Sequence, residues 1–383
     1  MKSLSVDIKK PDAFSAEEIA VWAELRSHNQ ALYSPYFHFE YTNSLSKLRA
    51  NIYILVVARG VETIAFLPFQ AKISASGKIG FANPVGSPMT DYHGFICAAD
   101  TKFDALAVLR QAGFGALHFS ALIDPQNIMD NFTRSQTPCT MMDVSMGAET
   151  WRAGRDSSYR RHLKSNRRRI RKAEELGPRR FEFMSKDQAV FDQLIAWKQE
   201  KFVETGKYDV LSCGWTLELL KALWANSSAN VDGLRADMHA MYFGDKLAAV
   251  DLGLTDGITF HSWMVAYDSG VHQLAPGIQL LEGLIDEAAN LGYARIDLGE
   301  GIDGYKRQYA SEDISVSSGF VAASGPAAAL SKIYAGFENF GEKKMGNFGK
   351  IPGKTRRRYT QISACEPKFA GRAKAMLAAI KSA

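Results

Sequence analysis

The chain has 383 residues, with 46% hydrophobic and 23% charged content, which is the balance of a folded globular protein large enough for two cores and excludes a disordered or fibrous one. The net charge of +5 is mild and matters only where it is concentrated. No run approaches the roughly 18 apolar residues that span a bilayer, and the N-terminus MKSLSVDIKKPD lacks the apolar stretch of a secretory signal. Cys97, Cys139, Cys213 and Cys365 form no CxxC pair, so they read as reduced thiols in a cytoplasmic protein, with neither a zinc site nor a disulfide.

In chain order, a helix is expected from about Ala13 to Tyr33, then an aromatic core cluster from Phe37 to Tyr41. A strand meander follows at Ile52–Ala58, Glu62–Ala71 and Ile79–Ala82, with turns at Arg59-Gly60 and Ser74–Gly77. The loop NPVGSPMTDYHGF comes next, then a helix at Lys102–Ala112 and a strand at Ala116–Leu122. The second half repeats that order. Helices at Lys186–Thr205 and Trp215–Asn226 precede strands at Ala236–Phe243, Lys246–Leu254 and Ile258–Tyr267, a helix at 277–291 and a strand at 295–299. Two copies of one α+β unit are the expected architecture. The expected division is residues 1–150, a basic connecting helix at 151–185, a second unit at 186–325 and a basic tail at 326–383.

The connecting segment SYRRHLKSNRRRIRKAEELG is the most unusual composition. Eight of the thirteen residues from Arg160 to Lys172 are Lys or Arg, and the first acid is Glu174. Tyr159, Leu163, Ile170 and Ala173 form a thin apolar stripe at helical spacing. Like charges four apart oppose helix formation, so this many serve either as a solvated face or to attract an anion. That anion would be a phosphorylated cofactor, a lipid-linked sugar pyrophosphate or an anionic membrane surface. In the tail, Arg356, Arg357 and Arg358 beside Tyr359 are either soluble decoration or a clamp for phosphates that stacks on a purine, which would make them a regulatory nucleotide site.

The stretch Gly257–Tyr309 organises the rest. A strand rich in aromatic and β-branched residues stops at Asp268-Ser269-Gly270. Pro276 suits a first helical turn, and Gly277 lets the backbone approach a ligand. The helix buries Ile278, Leu281, Leu284, Ile285 and Ala288 and closes at Gly292. A strand feeding a helix N-terminus through a glycine-bearing loop is an anion site of the kind an acyl-CoA pyrophosphate needs. A loop packed on its own helix is the bland alternative.

SYRRHLKSNRRRIRKAEELG, DVLS at 209–212, LAAVDLGLTDGITFHSWMVAYD, APGIQLL and IDLGEGIDGYKRQY together resemble the CelD/BcsL-type GNAT acetyltransferases (the BioF2-like acetyltransferase domain). These are tandem-GNAT proteins of bacterial exopolysaccharide production, and within them the likeness is to the N-acetyltransferases of holdfast polysaccharide synthesis. It covers roughly residues 15–320 and is strongest over 157–309. Fem-type peptidyltransferases resemble the chain more distantly. The resemblance implies an α+β fold of two tandem GNAT-like domains, each a mixed, mainly antiparallel sheet flanked by helices. It implies acetyl-CoA as co-substrate without a metal, and an amino-sugar or polysaccharide acceptor, lipid-linked or not. It further implies no DNA partner, a cytoplasmic location with peripheral contact at the anionic inner membrane, and cyclic di-GMP as the nucleotide for the tail.

By position, the resemblance puts pantetheine along Phe260–Tyr267, with Trp263 and Val265 on that strand. It puts the pyrophosphate on the loop His272–Gln279, through Gln273, Leu274, Ala275, Pro276, Gly277 and Ile278. That loop departs from the usual Arg/Gln-x-x-Gly-x-Gly/Ala run, which leaves other acyl donors open. An acceptor ammonium must lose a proton before it attacks, so a base is required. Asp251, His261, Asp297 and Glu300 are the candidates, each with a partnered structural role as its alternative. Asp251 and His261 lie across a hairpin and are expected to share a face. Tyr305 and Lys306 would protonate the leaving thiolate or steady the oxyanion. The first unit would shape the acceptor groove, with Asp91, Tyr92 and His93 at its rim and Tyr36, Phe37 and Trp263 as candidate platforms for sugar rings. His118 and His239 read as ordinary core or rim residues. A Fem-like aminoacyl transferase using charged tRNA, and a degenerate GNAT acting as a regulatory module, are the competing classes; no long helical-hairpin insertion is visible for the former.

Overall fold

In the computed structural model, which describes residues 3–226, 233–312, 314–344, 351–366 and 369–381, the elements arise where local chemistry asks for them. The first stretch holds β1 (Leu4–Lys9), α1 (Ala16–Ser27), α2 (Phe39–Leu48), β2 (Ile52–Arg59), β3 (Glu62–Ile73), β4 (Ile79–Pro84), α3 (Ala105–Gln111) and β5 (Phe114–Leu122). Next come β6 (Thr133–Asp143), α4 (Ala148–Ala153), α5 (Ser157–Ala173), β7 (Arg179–Glu182), α6 (Gln188–Glu204) and α7 (Trp215–Ala225). They lead to β8 (Arg235–Phe243), β9 (Lys246–Thr255), β10 (Thr259–Tyr267), α8 (Pro276–Glu287), β11 (Arg295–Glu300) and α9 (Lys306–Tyr309). β12 (Ser315–Ala322), α10 (Gly325–Lys344), α11 (Ile351–Cys365) and α12 (Phe369–Lys381) follow. Caps explain several starts. Ser15 and Glu18 form a reciprocal capping box on α1, and the Asp156 carboxylate accepts from the Ser158 and Tyr159 amides to open α5. Gly60 and Gly244, at φ 68° and 59°, make the β2–β3 and β8–β9 hairpin turns that an L-residue would strain.

The chain divides into two units that are discontinuous in sequence. One is Met1–Thr137, Gly206–Leu219 and Val316–Ala383; the other is Pro138–Thr205 and Leu220–Ser315. In the first, the strand order is β1-β2-β3-β4-β5-β12, antiparallel except for the parallel β4–β5 pair. In the second it is β7-β8-β9-β10-β11-β6, antiparallel except for the parallel β10–β11 pair. The same plan is thus laid down twice: strand, two helices, three strands, helix, strand. The fold is α+β, with a mixed sheet flanked by helices in each unit. The closing strand of each unit is the exception. β6 follows β5 in sequence but pairs with β11, and β12 follows β11 but pairs with β5.

That exchange is why the observed units do not follow the contiguous blocks at 1–150, 151–185, 186–325 and 326–383. The basic helix α5 is no linker; it belongs to the second unit, buried along Tyr159, Asn166 and Ala173. β1, β6, β7 and β12 were not anticipated, nor was α2, which occupies the aromatic cluster. The helix foreseen at Ala13–Tyr33 ends at Ser27 and gives way to 3-10 turns. The expectation of four reduced thiols fails for one pair: Cys213 and Cys365 are disulfide-bonded, with Cα atoms 4.9 Å apart, while Cys97 and Cys139 are buried and outside any disulfide, as expected. The pair joins the segment before α7 to the end of α11, both in the first unit. Arg356–Arg358 lie on α11. The side chains of Arg356 and Arg357 fall outside the described residues, and the Arg358 guanidinium donates to the Gly206 carbonyl.

Candidate functional site

In the second unit the parallel ladder between β10 and β11 has three register pairs, Thr259–Arg295, Phe260–Ile296 and His261–Asp297, and then stops. From Ser262 to Tyr267, β10 keeps β9 as its neighbour and has no register partner on β11. At the parting point His261 Nδ1 and Asp297 Oδ2 are 2.9 Å apart, with both side chains buried, and Asp297 Oδ1 accepts from the Gly299 amide at 2.7 Å. The buried carboxylate is therefore partnered, as burial demands, and the pair rivets the fork shut. β10 carries an irregularity there, with Trp263 as the extra residue between Ser262 and Met264.

Beyond the fork, β10 ends in a 3-10 turn, Ser269–Leu274, that feeds α8. Ala275 joins them at φ 51° and ψ 55°, a left-handed conformation that costs an L-residue about 1–2 kcal/mol. Such strain persists only where the surroundings impose it. Here buried Gln279 imposes it: Nε2 donates to the Leu274 carbonyl at 3.0 Å, and Arg179 donates to Oε1 at 3.4 Å. Pro276 occupies the first helical position, as its missing N–H permits. A Cβ added at Gly277 would meet only Tyr267 and Val265, at 3.6 and 3.8 Å. Packing does not demand a glycine, and what a side chain would take is space above β10. α5 packs against this turn, with Ala173 in one core cluster with Val271, Leu274 and Leu280.

Asp251 on β9 is 4% exposed. Its Oδ2 accepts from the Ser262 hydroxyl at 2.7 Å, and its Oδ1 is buried without a partner. Burial pushes its pKa from 3.8 up to about 6, partly offset by the Ser262 hydrogen bond and by His261 and Lys198. A carboxyl in that range is a stronger base than an ordinary aspartate and is still ionised at neutral pH. Tyr305 is 38% exposed, yet partial desolvation of its phenol raises its pKa, and the charges of Asp251 and Tyr267 add to this, so it holds its proton at neutral pH. A small cleft beside Asp251's register partner Val265 is lined by Trp197, Lys198 and Lys201 of α6 and by Val265, Ala266 and Tyr267 of β10.

The remaining candidates fall elsewhere. Asp251 and His261 are not cross-strand neighbours: Asp251 opposes Val265, and His261 opposes Leu254. His261 turns to Asp297 instead. Glu300 is exposed at the end of β11. Two of the three Lys306 ammonium donors are committed to the Leu298 and Glu300 carbonyls, at 2.6 and 3.2 Å, so it caps the strand end. Gln273 is exposed, Leu274 and Pro276 are buried, and Ala275, Gly277 and Ile278 are half-buried. Trp263 is buried, as are Tyr36 and Phe37, which leaves no broad aromatic platform at these positions. In the first unit Tyr92 and His93 are 2% and 3% exposed and form no rim; Asp91, half-buried, accepts from Tyr36. Burial lowers His93 to about 4 and His239 to about 3, so both are neutral, and His239 sits in the core as expected. Lys198 was missed, and Ser262, Tyr267 and Gln279 fell inside the expected pantetheine strand and pyrophosphate loop without a role of their own. Only the position of Gln279, just inside the helix, hinted at a role.

Residues 159–307 match the family model described as Acetyltransferase (GNAT) domain. No curated protein matches the chain. Among solved structures, a FemX crystal structure matches at 10% identity over 82% of this chain and 96% of its own, with TM-score 0.49. A tandem GNAT protein from the clavulanic acid biosynthesis pathway matches at 11% identity over 84% and 99%, with TM-score 0.48. The C-terminal domain of a putative lysylphosphatidylglycerol synthetase from Agrobacterium fabrum matches at 12% identity over 84% and 96%, with TM-score 0.40. The second unit thus carries a GNAT acetyltransferase domain, a family that uses acetyl-CoA, and the protein is an acyltransferase. Among the described residues no group of side chains is arranged to hold a metal, and no helix is long and apolar enough to cross a membrane.

Proposed function

We propose that the protein transfers the acetyl group of acetyl-CoA to the amine of an amino sugar, in a bacterial exopolysaccharide or its lipid-linked precursor. The parting of β10 from β11 carries the transferase reading. Ser262–Tyr267 offers an open strand edge beside the start of α8. An extended pantetheine, with two amides, adds to such an edge as a strand would, and the amides at the start of α8 suit its pyrophosphate. Gly277 N–H makes none of the turn's backbone hydrogen bonds. Asp251 takes the proton of the acceptor ammonium, freeing the lone pair that attacks the thioester carbonyl. As the C–S bond breaks, Tyr305, protonated and near Asp251, gives its proton to the departing thiolate and regains one from the nitrogen, which leaves as the neutral amide.

The acceptor class rests on the sequence resemblance. The charge of α5 favours a lipid-linked form. Arg160, Arg161, Lys164, Arg167, Arg168, Arg171 and Lys172 are all exposed. At helical spacing they fall within an arc of about 140°. Such a stripe suits an anionic membrane surface. The test is thiol release from acetyl-CoA by the full chain, with glucosamine, UDP-glucosamine and polyprenyl-linked amino sugars as acceptors and charged tRNA as a rival donor. Acetyl transfer to at least one amino sugar is expected. No stabilisation by acetyl-CoA together with transfer from charged tRNA would overturn the reading.

A further inference from the structure

The first unit contains a cleft of about 430 Å³ between the β3–β4 face and the ends of α11 and α12, well away in sequence from the acetyltransferase residues. That volume lies in the range of small-molecule sites. Arg49, Lys72 and Arg372 line it, and among the described lining residues there is no aspartate or glutamate. Arg49 is fixed by neutral partners alone. Its Nε donates to Asn51 Oδ1 at 3.2 Å, its Nη1 to the Ala364 carbonyl at 2.7 Å, and its guanidinium stacks on Trp215 at 4.6 Å. Two of its five donors are thereby used, and partial burial without a carboxylate lowers its pKa. A rigid, uncompensated guanidinium of this kind is suited to an anion.

The other walls want hydroxyls. Gln70 is 7% exposed; its Nε2 donates to the Ser87 carbonyl at 3.4 Å, while its Oε1 is buried with no donor. Asn51, its oxygen held by Arg49, has its NH₂ group to offer, and Asn83 adds a second amide. Phe81, 45% exposed on β4, presents a ring for stacking against C–H groups, and above Gly80 there is nothing within 4 Å of where a Cβ would stand. Cations, amides and an apolar platform match a single chemistry.

We infer that this cleft binds a hydroxylated sugar ring carrying one anionic group, either a uronate or a sugar phosphate. The site is independent of the acetyltransferase reading and needs no turnover to detect. The probes are glucuronate, glucose 1-phosphate, glucose and inorganic phosphate, titrated into the full chain by calorimetry. At least one anionic sugar binds, and at least tenfold more tightly than glucose or inorganic phosphate; which one binds identifies the anion. Lys72→Ala and Asn83→Ala, both substitutions outside the hydrophobic core, each weaken binding about tenfold without lowering the melting temperature. Asp251→Asn leaves binding unchanged. No binding of either anionic sugar, equal binding of inorganic phosphate, or affinity indifferent to Lys72→Ala and Asn83→Ala would overturn the inference.

Discussion

Replacing Asp251 by asparagine separates chemistry from stability, because the two effects have opposite signs. The substitution keeps a hydrogen-bond acceptor for Ser262 and removes the base, so turnover falls by about 10²–10⁴. The wild-type value near 6 makes kcat/KM rise tenfold per pH unit below 6 and level off above it; the variant loses that limb. Stability moves the other way. The folded-state pKa lies above 3.8, so the native protein keeps this proton longer than the unfolded chain does. Between pH 3.8 and about 6 the native state loses stability as pH rises, and above 6 the whole cost of a buried carboxylate is in place, about 3 kcal/mol. Asp251→Asn is therefore expected to melt several degrees above wild type at pH 8, with the advantage almost gone at pH 4. Initial rates from pH 5 to 9, with melting curves at pH 4 and 8, check both halves. A variant retaining more than a tenth of wild-type turnover, or a melting advantage that does not shrink on acidification, would refute the assignment.

Gly277→Ala meets only ordinary contacts at 3.6 and 3.8 Å, so its melting temperature is expected to stay within about 2 °C of wild type while KM for acetyl-CoA rises tenfold or more; an unchanged KM removes the space above β10 from the site. Glu282, buried on α8, accepts from Tyr159, Tyr309 and Arg152, and Glu282→Ala is expected to cost about 3–5 kcal/mol in urea unfolding, because it strands three donors. A loss under 1 kcal/mol would mean the cluster does not tie α5 and α9 to α8. A thiol count on denatured, unreduced protein should give two per chain, from Cys97 and Cys139, and four after reduction; four at the outset would rule out the Cys213–Cys365 bond.

The sequence by itself determined the parts whose causes are local. Runs rich in apolar, aromatic and β-branched residues, closed by Gly-Asp and Asp-Gly turns, wrote the β8–β9–β10 meander. Pro276 wrote the start of α8, and the spacing of Tyr159, Leu163, Ile170 and Ala173 wrote the buried edge of α5. The loop before α8 was legible for the same reason, since proline and glycine act within one turn. Tertiary structure alone decided what depends on distant partners. β6 and β12 read as polar or small-residue stretches, and only pairing with β11 and β5 makes them strands, each closing the unit it does not follow in sequence. Cys213 and Cys365 stand 152 residues apart, and no spacing rule joins them. His261 and Asp251 each looked like a base from the strand pattern. The register then gave His261 to Asp297, and burial, which desolvates a carboxylate whatever its neighbours in sequence, raised the pKa of Asp251.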